Sequence, residues 1–252
     1  MIRQLVFICV GIVLVVGRPD ASSRILGGQV VAHGDIPYQA SLQYWNTTFH
    51  FAGGVLLNTR WVLSTAKGVF GRAGNSINVI LGTNRLDIPF GNRQSDQIRT
   101  HPLYDQSIHA NDVAVIRTAA VIAFSVIISP MTLATHFIND GVTAQVSGWG
   151  AVNEDKTGES VVLRRVAVTT GPCVNTEFMT FNSANHFCAG APTNDTRPLV
   201  GICTRDVGGP LVLDNLLIGI PFHHDPRACG QFLDGYMRIS SYRAWILGNI
   251  PV

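Results

Sequence analysis

The strongest constraint on the fold is a rhythm of short β-rich runs. They are Gln39 to Tyr44, Val55 to Leu57, Trp61 to Ser64, Ile77 to Leu81, Val113 to Arg117, Ala144 to Ser147, Val161 to Val168, Pro210 to Val212, Leu216 to Ile220 and Tyr236 to Ile239. β-branched and aromatic side chains suit a pleated, half-buried surface. Turn residues break the runs often, with 25 glycines and 12 prolines in 252 residues. Many short strands separated by frequent turns predict an all-β barrel or sandwich. Only Ser241 to Leu247 reads as a helix, with Tyr242, Trp245 and Ile246 at i, i+3 and i+4 on one face. There is no internal repeat and no low-complexity segment. A break between two lobes is placed near Pro130 to Asp140.

The first 17 residues, MIRQLVFICVGIVLVVG, have a different texture. Arg3 precedes an apolar run from Leu5 to Val16, and Val15-Val16-Gly17 ends in small residues. That run is short of the roughly 20 apolar residues of a membrane-spanning helix, so it reads as a secretory signal peptide over 1–17. Residues 18–24, RPDASSR, read as a short propeptide, leaving one domain of two lobes over 25–252. No later run is long and apolar enough to span a membrane. Beyond Cys9, the cysteines are Cys173, Cys188, Cys203 and Cys229. An even number fits an oxidising, extracellular setting, and spacing alone leaves three pairings open. Asn46-Thr47-Thr48 and Asn194-Asp195-Thr196 are glycosylation sequons on Asn46 and Asn194. A net charge of +2 with no basic block gives no reason to expect nucleic acid as a partner.

A series of short motifs then follows in order: Arg24-Ile25-Leu26-Gly27-Gly28, Pro37-Tyr38-Gln39, Gly53-Gly54-Val55-Leu56, Trp61-Val62-Leu63-Ser64-Thr65-Ala66, His101-Pro102-Leu103-Tyr104, Asn111-Asp112-Val113-Ala114, Ser147-Gly148-Trp149-Gly150, Phe187-Cys188-Ala189-Gly190, Asp206-Val207-Gly208-Gly209-Pro210-Leu211 and Trp245-Ile246. Each is weak alone. Together, from Arg24 to the C-terminus, they make the chain resemble the trypsin/chymotrypsin family of secreted serine proteases. The resemblance implies two six-stranded antiparallel β-barrels with a C-terminal helix and an active site in the cleft between the barrels. It also implies disulfides Cys173–Cys188 and Cys203–Cys229.

Peptide hydrolysis by that family needs a hydroxyl nucleophile, a histidine base, a buried carboxylate that orients the base, and backbone N–H groups for the oxyanion. The resemblance puts Val207 at the nucleophile position, and valine has no lone pair to attack with. Thr204 is the nearest hydroxyl in sequence, displaced by three residues. Lys67 stands at the base position, and Asp112 matches the buried aspartate. Lys67 is expected to pair with Asp112, the alternative being a lysine that faces solvent. Arg205 replaces the glycine of the oxyanion region, where a β-carbon resists the required backbone conformation.

The pocket diverges too. Gly201, two residues before Cys203, corresponds to the pocket base, and Asp234 lies on the facing strand where the family usually has glycine. Phe222-His223-His224 stands where the family's Ser-Trp-Gly segment pairs with substrate backbone. Adjacent residues on a strand point to opposite faces, so His223 and His224 are not expected to share a metal ion. No metal or other cofactor is expected. The bridge that staples the family's histidine loop is missing, with Ala52 and Gly68 at its two positions. The activation pair is kept: a cut after Arg24 frees the Ile25 amine, which in the family pairs with the aspartate matched here by Asp206. The expected function is that of a secreted, catalytically inactive homologue, a pseudoenzyme that binds an extracellular protein or a protease-cascade component. An active serine endopeptidase and an inert carrier protein are the alternatives.

Overall fold

A computed structural model describes residues 28–88, 90–151, 160–175, 179–191, 200–225, 227 and 229–251. The strands are β1 (Gln29–Val30), β2 (Gln39–Tyr44), β3 (His50–Leu56), β4 (Trp61–Ser64), β5 (Ile77–Ile80), β6 (Arg93–Thr100) and β7 (Ala114–Thr118), followed by β8 (Thr132–Leu133), β9 (Thr143–Gly148), β10 (Arg164–Gly171), β11 (His186–Gly190), β12 (Leu211–Leu213), β13 (Leu216–His223) and β14 (Asp234–Arg238). A short helix α1 (Ala66–Val69) follows β4, and α2 (Ile239–Asn249) follows β14.

The first barrel closes in the order β2-β3-β4-β7-β6-β5, every pairing antiparallel. The second closes in the order β9-β10-β11-β14-β13-β12, again antiparallel, with β12 returning to β9. Two short strands lie outside the rings: β1 is antiparallel to β10, and β8 is parallel to β13. Two six-stranded barrels with a C-terminal helix are thus the architecture, with one parallel pairing at the junction.

Alternation along the strands sorts the apolar side chains into separate cores. Ala40, Leu42, Ala52, Leu56, Val62, Ile77, Val79 and Ile116 fill the first barrel. Ala144, Val146, Val168, Phe187, Ala189, Leu211, Ile218 and Tyr236 fill the second. The intervening residues on the same strands point the other way. Val55, Leu63 and Val115 of the first barrel meet Leu217, Ile220, Phe222 and Met237 of the second, and Ile239, Tyr242 and Ile246 of α2 join them. The two barrels therefore share a core behind the cleft. Helix α2 extends beyond the Ser241 to Leu247 predicted from periodicity, because Ile239 also buries its side chain there.

Candidate functional site

The cleft is organised by the loop that leads into β12. Asp206 is completely buried in it, and its carboxylate accepts the Gly150 N–H (2.8 Å) and the Cys203 N–H (3.0 Å). Burial outweighs these two donors and pushes its pKa up to about 7. No cation among the described residues pairs with it. The loop is stitched to both barrels: the Val207 carbonyl accepts from the Gly53 N–H (2.9 Å) on β3, and the Gly208 N–H donates to the Pro221 carbonyl (2.8 Å) on β13. Gly208 has a φ of 82°, and a Cβ there would strike Ser64 Oγ and come within 2.6 Å of the Gly53 carbonyl oxygen, so glycine is required twice over. Val207 is half-buried, packed against the core of the first barrel. Thr204 is half-buried, and its carbonyl accepts from the Ala151 N–H (2.9 Å).

Arg205 adopts the left-handed backbone that glycine would favour, with a φ of 76°. Its guanidinium stacks 4.6 Å above the Phe49 ring, at the tip of the β2–β3 hairpin. The Arg205 carbonyl accepts a hydrogen bond from His50 Nε2 (3.2 Å), while Ser41 Oγ lies 2.8 Å from His50 Nδ1. This pairing fits a neutral imidazole with its proton on Nε2. Burial holds His50 in that form by lowering its pKa to about 4. The motif comparison did not single out His50. Its one sequence signal is the alternation of β3, which places His50 on the buried side with Ala52.

Asp112 is fully buried and accepts the backbone N–H of Lys67 at 2.6 Å. Its second oxygen has no hydrogen-bond partner, and burial pushes its pKa up to about 7. The expected Lys67–Asp112 ion pair does not form. The lysine side chain is exposed, and no carboxylate among the described residues forms an ion pair with it. Burying an ammonium costs several kcal/mol of solvation. A backbone N–H gives the carboxylate a donor without that cost, so the main chain approaches Asp112 and the side chain turns to water.

The pocket residues separate into two groups. Gly201 and Asp234 do come together: a Cβ on Gly201 would lie 2.6 Å from Asp234 Oδ2 and 3.0 Å from the Gly230 Cα. The Asp234 carboxylate therefore lies against Gly201, and it accepts the Ile202 N–H at 2.9 Å. Burial raises its pKa well above the usual carboxylate range, and repulsion from Asp206 adds to the rise. Phe222 does not line the pocket. It is fully buried in the inter-barrel core, because alternation along β13 turns it away from His223. His223 is half-buried with its ring edge-on to Phe181 at 6.1 Å, and burial lowers its pKa to about 4. His224 is also half-buried, with Nδ1 3.2 Å from the Asp225 carbonyl oxygen. His109, not singled out in the sequence, feels the charge of Lys67, and Tyr104, of the His101 to Tyr104 motif, feels that of Asp112. No three His, Cys, Asp or Glu side chains among the described residues are placed to hold a metal ion.

Both disulfides form as the resemblance implied, Cys173–Cys188 and Cys203–Cys229. Asn46 is exposed on the β2–β3 hairpin with a φ of 63°. The signal peptide, the 18–24 segment, Arg24, Ile25 and Asn194 lie outside the described residues. No helix among the described residues is long and apolar enough to cross a membrane.

Comparison with known proteins agrees with this architecture. Residues 25–246 match the family described as Trypsin. Serine protease SP24D of Anopheles gambiae is 30% identical over 230 residues, covering 89% of this chain and 80% of the mosquito protein. Human serine protease 1 is 28% identical over 237 residues, covering 92% and 91% of the two chains. Among solved structures, neuropsin, a serine protease of mouse brain, superposes with a TM-score of 0.75 at 27% identity, covering 89% of this chain and 99% of its own. Human heparin binding protein gives 0.76 at 26% identity, covering 90% and 98%. With its two closed barrels, its buried Asp206 and a match over nearly the whole domain, the chain belongs to the trypsin family.

Proposed function

We propose that this chain is a secreted, non-catalytic member of the trypsin family that works by binding an extracellular protein, such as a component of a protease cascade. One observation carries the reading. The loop keeps its framework of Asp206, Gly208 and Gly209, while the two groups that exchange a proton in the family's chemistry are Val207 and Lys67. Valine offers no nucleophilic atom. Lys67 turns its side chain to solvent, so nothing at the base position shares a proton with Asp112. Groups that act as a unit in catalysis lose most of their effect when one is missing, and here two are. A neighbour named for binding heparin accords with a binding role on this fold. Processing after Arg24 belongs to the same proposal, since buried Asp206 has no cationic partner among the described residues and a freed Ile25 amine would supply one.

The names of the relatives favour a second reading, an active serine endopeptidase. That reading requires a nucleophile at a position other than 207. A fluorophosphonate probe, which labels activated serines, separates the two on protein cut after Arg24. The wild type is expected to stay unlabelled alongside a labelled trypsin control. Labelling of the wild type overturns the non-catalytic reading. Running the V207S/K67H double variant in parallel tests the frame: labelling of the variant alone means that the cleft and its N–H donors are still formed around Arg205.

A further inference from the structure

We infer that Asn46 carries an N-linked glycan whose first N-acetylglucosamine packs on the Trp45 indole, an inference that rests on the secreted route proposed above. The site is the hairpin between β2 and β3. The Thr47 N–H donates to the Tyr44 carbonyl (3.0 Å), closing a turn with Trp45 and Asn46 at its centre. Asn46 takes the second central place with a φ of 63°. Glycine and asparagine adopt a positive φ there at least cost. The turn thus accounts for an asparagine at 46 but asks nothing of residue 48.

The two threonines divide the work. Thr47 Oγ1 donates to the Tyr44 carbonyl (3.0 Å) and accepts from the Phe49 N–H (3.2 Å), so its hydroxyl holds the turn. Neither the Asn46 amide nor the Thr48 hydroxyl makes a hydrogen bond among the described residues, and both residues are exposed. These are the two side chains an acceptor sequon uses, and the fold presents both to solvent on a surface turn. In the covalent step, Asn46 Nδ2 bonds to the anomeric carbon of a lipid-linked oligosaccharide pyrophosphate, the co-substrate met on the secretory route. The bond from that carbon to the phosphate oxygen breaks, the lipid pyrophosphate leaves with the electron pair, and one amide proton passes to a base of the transferring enzyme.

The rings around the turn decide where the sugar rests. Tyr44, Trp45 and Phe49 are 38%, 39% and 40% exposed, an aromatic patch that a solvated surface seldom leaves bare. Two of the three are already engaged. Tyr44 stacks on Phe49 with 5.5 Å between centroids and carries the Arg72 guanidinium 4.7 Å above its ring. Phe49 carries that of Arg205. Trp45 has no ring or cation against it among the described residues. Its backbone N–H donates to the Ser76 carbonyl (2.9 Å), which fixes the root of the indole beside Asn46. One face of N-acetylglucosamine presents C–H groups alone, and laying it on an indole removes apolar surface from water. The glycan therefore shields the hairpin tip on the side where it holds Arg205.

Mass spectrometry of the full chain, expressed with its own leader in mammalian cells, tests the site. Peptide N-glycosidase converts a glycan-bearing asparagine to aspartate and, in heavy-oxygen water, marks it. The peptide spanning Trp45 to Thr48 is expected to carry the mark, to lose it in T48A, and to keep it in N194Q, which removes the other sequon. An unmarked Asn46 on secreted protein overturns the glycan and leaves the secreted route standing. Recovery of the chain from the cytosol alone overturns both. A cycle of thermal melts in the N194Q background tests the packing. The glycan is expected to raise Tm by roughly 2–4 °C over T48A, the shift of a modest contact in a domain of this length. With W45A added to both forms, the gap is expected to shrink. Equal gaps with and without the indole overturn Trp45 as the seat of the sugar.

Discussion

Replacing Asp234 with asparagine raises the melting temperature more at pH 8 than at pH 5. Asp234 is buried beside a second buried carboxylate, Asp206, and its pKa is raised well above the usual range. The folded chain therefore holds a proton that the unfolded chain releases above pH about 3.9. Stability from this group is lost as pH rises from that unfolded value toward the folded one. While Asp234 stays protonated in the fold and ionised out of it, each pH unit costs about 1.4 kcal/mol. Asparagine keeps an acceptor for the Ile202 N–H and has no charge to lose. It also removes the carboxyl group whose ionisation Asp206 opposes. His50, His186 and half-buried His223, with pKa values lowered to about 4, give the opposite slope below pH 6.5, but they do so equally in both proteins. Thermal melts followed by circular dichroism at the two pH values measure the gap. A gap of the same size at pH 5 and pH 8 would sink the assignment of Asp234 as a carboxylic acid held neutral by the fold.

The A52C/G68C double variant is expected to form a third disulfide and stabilise the chain by about 3 kcal/mol. Both described bridges lie in the second barrel, and the first has none among the described residues. A Cβ on Gly68 would sit 3.4 Å from the Ala52 Cβ. Disulfides place these atoms about 3.5–4.5 Å apart, so a slight opening suffices. The bridge would close a loop of roughly 16 residues, and cross-linking a loop of that size restricts the unfolded chain by about 3 kcal/mol. In a domain of this length that corresponds to a melting point higher by roughly 6–12 °C. Thiol quantification and melts against an A52S/G68S control provide the check. Free thiols after oxidative refolding, or a bridge that lowers the melting point, would show that the histidine-loop geometry has drifted.

The parts of the fold that were legible in the sequence are those where one side of a strand is apolar. Strands β2, β4, β5 and β9 were placed to within a residue or two for that reason. Strand β6, Arg93–Thr100, was missed because its sequence is almost wholly polar and only Ser95 is fully buried. Strand β11, His186–Gly190, was missed because its sequence, HFCAG, holds no β-branched residue. At the site, motif order singled out Asp206, Asp112, Gly201 and Asp234, and the structure buries all four. It misjudged Lys67, because sequence gives side-chain type without direction and solvation decided the direction. It misjudged Phe222 because an alignment position says nothing of which strand face a new side chain takes. His50 and His109 carry no motif. Distant segments act on both: His50 hydrogen-bonds the Arg205 carbonyl, and His109 feels the charge of Lys67.

The core shared by the two barrels has a consequence for how such a chain changes over generations. Val55, Trp61, Leu63, Leu217, Phe222, Met237 and Tyr242 join the halves from behind, and neither Lys67, Arg205 nor Val207 belongs to that set. Cohesion and chemistry thus draw on separate positions. A lineage can exchange side chains at the mouth of the cleft without touching the seam that joins the two barrels, and the mouth is thereby free to vary while the halves stay together.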